Sequence, residues 1–257
     1  MTRSKVVFLI VGLLLLGTRV MAQSSVPLNT GYNYSTYGPY PALSGIQDDY
    51  WINIASYPTT SPAIAPAFVL PSPNGWLAPF PSSNWISARN VAASHPSTNV
   101  SNPAYTIFRK CFCLTPNYSN PTISFNARAD DTLQVWFNSQ ANVLLPPQFG
   151  SFNGPALMSL PSNPGWFHTG LNCIYALVED TYGGLMGFDL EGTVQANGLS
   201  PQPAFGVNQT FTCPCASGVS PNPSDLNGNG THDDRHVVAA LVDVAEERRL
   251  SRIRQRH

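Results

Sequence analysis

The sequence predicts an all-β protein of the sandwich class that ends in a short loop-helix tail, and three observations support this prediction. Charged residues make up only 11% of the chain, whereas aromatic residues also reach 11% and there are 24 prolines. Short segments rich in β-branched and aromatic residues alternate with clusters of Pro, Asn, Gly and Ser. None of these segments sustains the 3.6-residue period of an amphipathic helix, so we expect many short strands joined by turns.

The N-terminus predicts export. Arg3 and Lys5 precede an apolar run over residues 6–16, and small residues suit cleavage just before Gln23. This order is typical of a secretory signal peptide, and the run is short for a membrane span. We therefore expect residues 1–22 to be removed, which leaves a secreted or cell-surface protein with no membrane span after signal cleavage.

Composition divides the rest of the chain into four segments. Residues 23–44 are polar and predict an irregular lead-in, and residues 45–198 hold the candidate strands of the sandwich. Residues 199–224 are rich in Pro, Ser and Gly, as in a linker, and residues 225–257 form the tail. The candidate strands are DYWINIAS, AFVL, NWISAR, AYTIFRKCFCL, TISFNARA, TLQVWFN, NVLL, LNCIYALVED and LMGFDLEGTV.

Alternation within these strands predicts which side chains face the core. The residues expected to point inward are Phe112, Leu114, Ile123, Phe125, Leu133, Val135 and Phe137. Trp51, Trp85 and Trp136 lie within strands, so we expect them to belong to the core. Asn138 and Asn172 are expected at strand ends.

The five cysteines, Cys111, Cys113, Cys173, Cys213 and Cys215, favour disulfides over a zinc site because the protein is expected to be exported. Cys111 and Cys113 would point to one face of a strand, so each can bond a different partner. The odd count leaves one cysteine over, and the sequence does not identify it.

The strand motifs follow a familiar order: GIQDDYWIN, SSNWISAR, FRKCFCL, ARADDTLQVWFN and TGLNCIYALVEDTYGGLMGFDLEGTV. This order resembles that of the galactose-binding-like jelly-roll domains of secreted bacterial proteins, including those found with surface-sorting tails. The resemblance spans roughly residues 45–195 and implies a jelly-roll β-sandwich. The Pro-Glu-Pro motif and membrane span of the usual sorting tail are absent from this sequence.

Two classes of function are disfavoured. Residues 23–220 contain only four cationic side chains (Arg89, Arg109, Lys110 and Arg128), too few for a nucleic-acid surface. No nucleophile elbow or zinc-protease motif occurs, and adjacent carboxylates such as Asp130/Asp131 would face opposite ways along a strand. We therefore predict no catalytic residues and do not expect an enzyme.

Two tryptophans are the candidate ligand contacts. Trp76 and Trp166 lie in Pro- and Gly-rich loops, SPNGWLAPF and SNPGWFHTG, where an exposed indole could stack on a sugar ring. Packing beneath the loop is the alternative reading for each of them.

The tail contains one candidate metal site in the stretch DLNGNGTHDDRH. Oxygen ligands occupy alternating positions and Gly230 stands sixth, as in an EF-hand loop, but His236 replaces the closing carboxylate at position 12. The stretch resembles one repeat of a dockerin, which implies weak calcium binding, with a non-binding turn as the alternative. The ligands carried over are Asp225, Asn227, Asn229, Asp233 and the carbonyl of Thr231.

A helix is expected to follow this loop. One helical face of the segment after residue 235 carries the apolar residues Val238, Leu241, Val242 and Ala245. Together these features predict a non-enzymatic module that binds a glycan or cell-surface polymer, with a tail that could engage a protein partner. The alternatives are a structural envelope or matrix protein and an accessory subunit of a polysaccharide-degrading system.

Overall fold

The computed structural model describes residues 24–33, 36–41, 45–57, 65–92, 104–149, 151–200 and 213. The predicted signal peptide, the calcium loop and the tail helix lie outside these residues, as does most of the linker. The strands are β1 (Ser24–Pro27), β2 (Tyr32–Asn33), β3 (Gly38–Pro39), β4 (Gln47–Tyr57), β5 (Ala65–Val69), β6 (Ile86–Ser87), β7 (Ala104–Asp130), β8 (Thr132–Phe137), β9 (Ser139–Phe149), β10 (Leu157–Met158), β11 (Gly170–Asp180) and β12 (Gly187–Ser200). One 3₁₀ helix, Pro164–Trp166, precedes β11.

Ten of the described strands form an antiparallel sheet that folds over on itself, which confirms the predicted all-β sandwich, and β2 and β3 pair in a separate two-stranded sheet. The front layer runs in the order β4, the first part of β7, β11, β8 and β9. The back layer contains β1, β12, β5, β6, β10 and the second part of β7. The long strand β7 belongs to both layers, and its register with β12 shifts beside Asn197, where the strand passes from one layer to the other.

The core lies between the two layers and contains all seven side chains predicted to point inward, each at most 5% exposed. Aromatic rings interlock there, for example Trp51 edge-on to Phe188 with ring centroids 5.3 Å apart. Trp51, Trp85 and Trp136 are buried, as predicted. Trp136 lies on the other face of the front layer, however, where its ring stacks on Tyr175.

The lead-in predicted to be irregular contributes a strand to the sandwich. β1 pairs with Thr193–Ala196 of β12, so the sandwich begins at residue 24 rather than 45. Its four residues, SSVP, are too short and too polar to show the alternation that marks a strand. The two segments AYTIFRKCFCL and TISFNARA, predicted as separate strands, are parts of the continuous strand β7.

Two disulfides connect the described cysteines. Cys111 bonds Cys173 on the neighbouring strand, and Cys113 bonds Cys213. The prediction that Cys111 and Cys113 point to one face of a strand and bond different partners is confirmed. Cys215 lies outside the described residues. Two disulfides are compatible with an extracellular protein. Within the described ranges, no helix is long and apolar enough to cross a membrane.

One of the four cationic side chains counted above is buried inside the sandwich. Lys110 is 1% exposed and its ammonium group lies 5.4 Å from the centroid of the Tyr50 ring. Burial lowers the pKa of Lys110 to about 7 and raises the pKa of the buried Asp48, while the charge of each group opposes the shift in the other. Asp48 accepts hydrogen bonds from the backbone N–H groups of Gly31, Tyr50 and Trp51. Lys110 therefore adds no positive charge to the surface.

Candidate functional site

Several chain connections meet at one end of the sandwich. There β7 ends at Asp130, β9 ends at Phe149, and β11 ends at Asp180, just before the loop 181–186 that leads into β12. Asp131 lies in the turn between β7 and β8, and its carboxylate accepts a hydrogen bond from the backbone N–H of Thr181 in that loop. We call Asp130, Asp131, Phe149, Asp180 and Tyr182 the aromatic-acidic end.

Two buried carboxylates hold the loop that carries Tyr182. The backbone N–H groups of Thr181 and Tyr182 donate to Asp131 Oδ2, at 2.8 and 3.2 Å. The next N–H group, that of Gly183, donates to Asp180 Oδ1 at 2.7 Å. Three consecutive amides are thus fixed by acceptors that are themselves only 8% and 1% exposed. An Asp side chain that accepts from nearby backbone amides is a common way to order a turn.

The pKa of Asp130 is raised, which favours its protonated form. Burial raises its pKa to about 8, with further contributions from the hydrogen bond to Asp131 and from the negative charges of Asp131 and Asp180. The indole N–H of Trp76 donates to Asp130 Oδ2 at 2.8 Å and opposes part of that shift. Through this hydrogen bond Asp130 joins the end of β7 to the loop of Trp76.

The expectation that strand alternation turns the two doublet carboxylates opposite ways does not apply in that form, although the two carboxylates do contact different elements, Trp76 and the loop 181–186. It assumed that both residues lie in one strand, but Asp131 lies in the turn between β7 and β8, where strand alternation does not apply. The acid pair of a glycosidase flanks the bond to be cleaved, with its carboxyl groups about 5 Å or more apart. Asp130 and Asp131 are both buried and bind the Trp76 indole and the backbone of Thr181, respectively, so they do not flank an open cleft in that arrangement.

Two aromatic side chains are exposed beside this acidic turn. Phe149 is 58% and Tyr182 59% exposed, and their rings meet edge to face with centroids 5.8 Å apart. Exposed aromatic rings in contact with each other are less usual than scattered apolar residues, and such patches often mark a binding surface. A ring of this kind can stack on the C–H face of a sugar, and the Tyr hydroxyl can hydrogen-bond a sugar hydroxyl.

Trp76, the first ligand contact predicted from the sequence, is buried. It is 8% exposed, its ring lies 4.3 Å from that of Trp85, and its N–H group is taken by Asp130. The structure thus places Trp76 beneath its loop, which is the alternative reading, and leaves no free ring face for stacking.

Trp166, the second predicted contact, lies at the opposite end of the sandwich. It ends the 3₁₀ helix, packs partly buried against the core, and its carbonyl accepts from Asn138 Nδ2 at 3.0 Å. Asn138 follows β8, whereas Asp130, the partner of Trp76, stands just before β8. A strand of six residues spans roughly 20 Å, so the two tryptophans do not form one site.

The two asparagines predicted at strand ends order that opposite end. Asn138 Nδ2 also donates to Asn172 Oδ1 at 3.0 Å, and Asn172 Nδ2 donates to the carbonyl of His168 at 2.7 Å. The backbone N–H of Cys173 returns a bond to Asn138 Oδ1. These hydrogen bonds give Asn138 and Asn172 a structural role, because they connect the end of β8 to the start of β11.

Sequence reasoning missed both residues of the exposed aromatic pair. Tyr182 stands in the stretch VEDTYGG, where an aromatic follows two acids and precedes two glycines, and this turn context was a usable signal. Phe149 ends β9 four residues after the predicted segment NVLL, beyond Pro146, Pro147 and Gln148. Its contact with Tyr182 depends on the pairing of β8 with both β9 and β11, which the sequence does not show.

No group of three His, Cys, Asp or Glu residues suited to a metal ion occurs in the described part of the chain. The predicted calcium ligands, Asp225, Asn227, Asn229, Thr231 and Asp233, lie outside it.

Comparison with known proteins identifies no family. No family model matches the chain, and no curated protein matches it. Among solved structures, an arabinose-bound α-L-arabinofuranosidase aligns with 59% of this chain and 25% of its own, at 14% identity and a TM-score of 0.30. The chain thus spans about a quarter of that enzyme, and the likeness is too low to support an argument about function.

Proposed function

We propose that this protein is a secreted, non-enzymatic module that binds a glycan or cell-surface polymer, and that the pair Phe149 and Tyr182 forms its contact surface. The observation that carries the proposal is the exposure of both rings on a loop that buried carboxylates hold in place. The resemblance of the strand motifs to galactose-binding-like domains supports the same class of ligand.

The proposed contact surface suits a saccharide for physical reasons. Both rings are more than half exposed, so apolar surface is in contact with water. A sugar face that covers this surface would contribute about 25 cal/mol of favourable free energy per Å² buried. The hydrogen bonds to Asp131 and Asp180 fix the backbone around Tyr182 before any ligand arrives, so little loop entropy is lost on binding. Because these two carboxylates are buried, they position the ring and do not contact the ligand themselves.

Affinity electrophoresis through gels containing single polysaccharides tests this proposal. The secreted protein would be run in gels with soluble cellulose, chitosan, xylan and arabinan derivatives, beside a double Phe149→Ala/Tyr182→Ala variant. We expect at least one polysaccharide to retard the wild-type protein but not the double variant. Equal retardation of both proteins would contradict the assignment of the site, and no retardation by any glycan would argue against the function.

A structural envelope or matrix protein is the second candidate, and the burial of Trp76 favours it because one expected ligand platform is lost. The electrophoresis separates the two, since a purely structural protein binds no soluble polysaccharide.

We further propose that the tail loop binds calcium weakly and gives the protein a docking contact for a protein partner. In the third alternative, an accessory subunit of a polysaccharide-degrading system, that contact would join the subunit to an enzyme.

A further inference from the structure

Four loops meet at the aromatic-acidic end above a small apolar cluster of their own. The loops are 71–78, 88–92, 151–156 and 181–186. The cluster contains Leu70, Trp76 and Trp85, with Ala92, Phe152 and Leu185 packed against it. Each loop contributes one of these side chains, so the four loops share one support and hold fixed positions relative to one another.

Val91 is an exposed apolar side chain beside the loop that carries Tyr182. The backbone N–H of Met186, at the end of that loop, donates to the carbonyl of Ala92 at 2.7 Å. Val91 directly precedes Ala92 and is 45% exposed. The hydrogen bond therefore places Val91 at the border of the aromatic pair.

Leu77 is a second such side chain, next to the segment that follows Phe149. Its backbone N–H donates to the carbonyl of Phe152 at 2.9 Å, and its side chain is 40% exposed. With Leu77 and Val91 added to the aromatic pair, four of the seven large apolar side chains that are exposed in the described part of the chain lie at this end. Apolar residues concentrated in this way indicate a binding surface, whereas scattered ones do not.

The four loops are almost uncharged and restrict the chemistry of the ligand. Arg89 is the only charged residue within them, and the carboxylates of Asp130, Asp131 and Asp180 are buried beneath. A polymer with a charge on every unit would need more cations than these loops offer. Aliphatic side chains offer no hydrogen bond to a hydroxyl group, so the part of a ligand that covers Leu77 and Val91 should be apolar.

We propose that the aromatic-acidic end recognises a neutral glycan that carries acetyl groups, with the sugar face on Phe149 and Tyr182 and the acetyl methyl group against Leu77 and Val91. This inference rests on the proposed glycan binding and adds the substituent that the site selects and the two residues that select it. An acetyl group suits the surface because its methyl group is apolar while its carbonyl oxygen still accepts hydrogen bonds from water. Burial of one methyl group corresponds to a factor of about four in affinity.

Affinity electrophoresis on matched polysaccharides tests this proposal. Soluble xylan, arabinan and cellulose derivatives would each be used in a partly acetylated form and again after alkaline removal of the acetyl groups, so that both members of a pair share one backbone. We expect the acetylated member of at least one pair to bind the secreted wild-type protein about fourfold or more tightly. The variant Leu77→Asn/Val91→Thr replaces both apolar side chains by polar ones of similar size and should bring the affinity ratio close to one.

Leu160→Asn is the matched control, because Leu160 is 47% exposed and its N–H bonds the carbonyl of Leu144 in the middle of β9, away from the four loops. This variant should keep the wild-type affinity ratio. Urea midpoints equal to that of wild type would show that all the variants fold.

The outcomes separate this inference from the proposed function. Equal binding of the wild-type protein to both members of every pair would overturn the inference and leave glycan binding intact. An undiminished preference for the acetylated form in Leu77→Asn/Val91→Thr would overturn the role of these two residues. Retardation by none of the polysaccharides would contradict the proposed function itself, and this inference with it.

Discussion

Tyr182 donates its backbone N–H to the buried carboxylate of Asp131, at 3.2 Å, while its side chain remains 59% exposed. The backbone of Tyr182 is thus held in place, while its ring remains exposed to solvent. This relationship is the basis of the proposed glycan contact.

Removing the acceptor should loosen the loop without touching the ring. Asp131→Ala leaves the N–H groups of Thr181 and Tyr182 without their carboxylate, which should cost about 2–4 kcal/mol of unfolding free energy. Hydrogen exchange followed by NMR should show faster exchange of both amides, and polysaccharide binding should weaken. The comparison variant Asn163→Ala removes a similar bond, to the N–H of Gly165 at the other end, and should leave both properties unchanged. Slow exchange retained in Asp131→Ala would refute the role of the carboxylate.

The acidic doublet should make stability depend on pH in a definite direction. Asp130 has its pKa raised from 3.8 to about 8 in the folded protein, so the folded state holds a proton that the unfolded chain releases. The resulting stabilisation is fully present below pH 3.8 and is lost as the pH rises through about 8. The Asp130→Asn variant keeps the shape of the side chain and lacks this titration.

Denaturant unfolding at about pH 6.5 and about pH 8.5 measures the effect, at up to about 1.4 kcal/mol per pH unit. The pKa of Asp189 is raised to about 6, so most of the stability that its protonated form contributes is already lost below about pH 6.5. Lys110, whose pKa is lowered to about 7, gives the opposite slope, but it does so equally in wild type and variant. The wild type should therefore lose stability relative to Asp130→Asn as the pH rises, and parallel curves would show that Asp130 is not the titrating group.

The disulfide that reaches the linker should contribute slightly more to stability than the one within the front layer, because it closes the longer loop. Cys111→Ala/Cys173→Ala removes a link between two paired strands and should lower the free energy of unfolding by about 2–4 kcal/mol. Cys113→Ala/Cys213→Ala opens a loop with a sequence separation of 100 rather than 62, so the loop-entropy argument predicts that it costs slightly more. Urea unfolding of the two variants provides the comparison, and the reverse ranking would contradict this account.

The tail loop should bind calcium weakly, with affinity of about millimolar, because two of its side-chain ligands are neutral asparagines and His236 cannot close the site. Calorimetric titration of calcium should give heat with the wild-type protein and none with Asp225→Ala. Equal signals, or no heat from either, would make the loop a non-binding turn.

The sandwich could be predicted from the sequence because a period of two in hydrophobicity follows directly from strand geometry. The inward-facing residues Phe112, Leu133 and Phe137 therefore lie where they were expected. The aromatic pair could not be predicted, since Phe149 and Tyr182 meet only through strand pairing between distant segments. Trp76 illustrates the opposite case, because a Gly- and Pro-rich loop can turn inward when a buried acid accepts its indole N–H.

The most direct test of the glycan contact is a binding isotherm of Tyr182→Ala on whichever polysaccharide retards the wild-type protein. Tyr37→Ala is the matched control, because Tyr37 is 82% exposed and lies in the turn between β2 and β3, which is not part of the aromatic-acidic end. Both changes should leave the free energy of unfolding within about 0.5 kcal/mol of wild type, as is usual for surface substitutions. The account predicts that Tyr182→Ala weakens binding about tenfold or more, a loss of roughly 1.4 kcal/mol, while Tyr37→Ala binds like wild type. Equal affinity of Tyr182→Ala and wild type would contradict it.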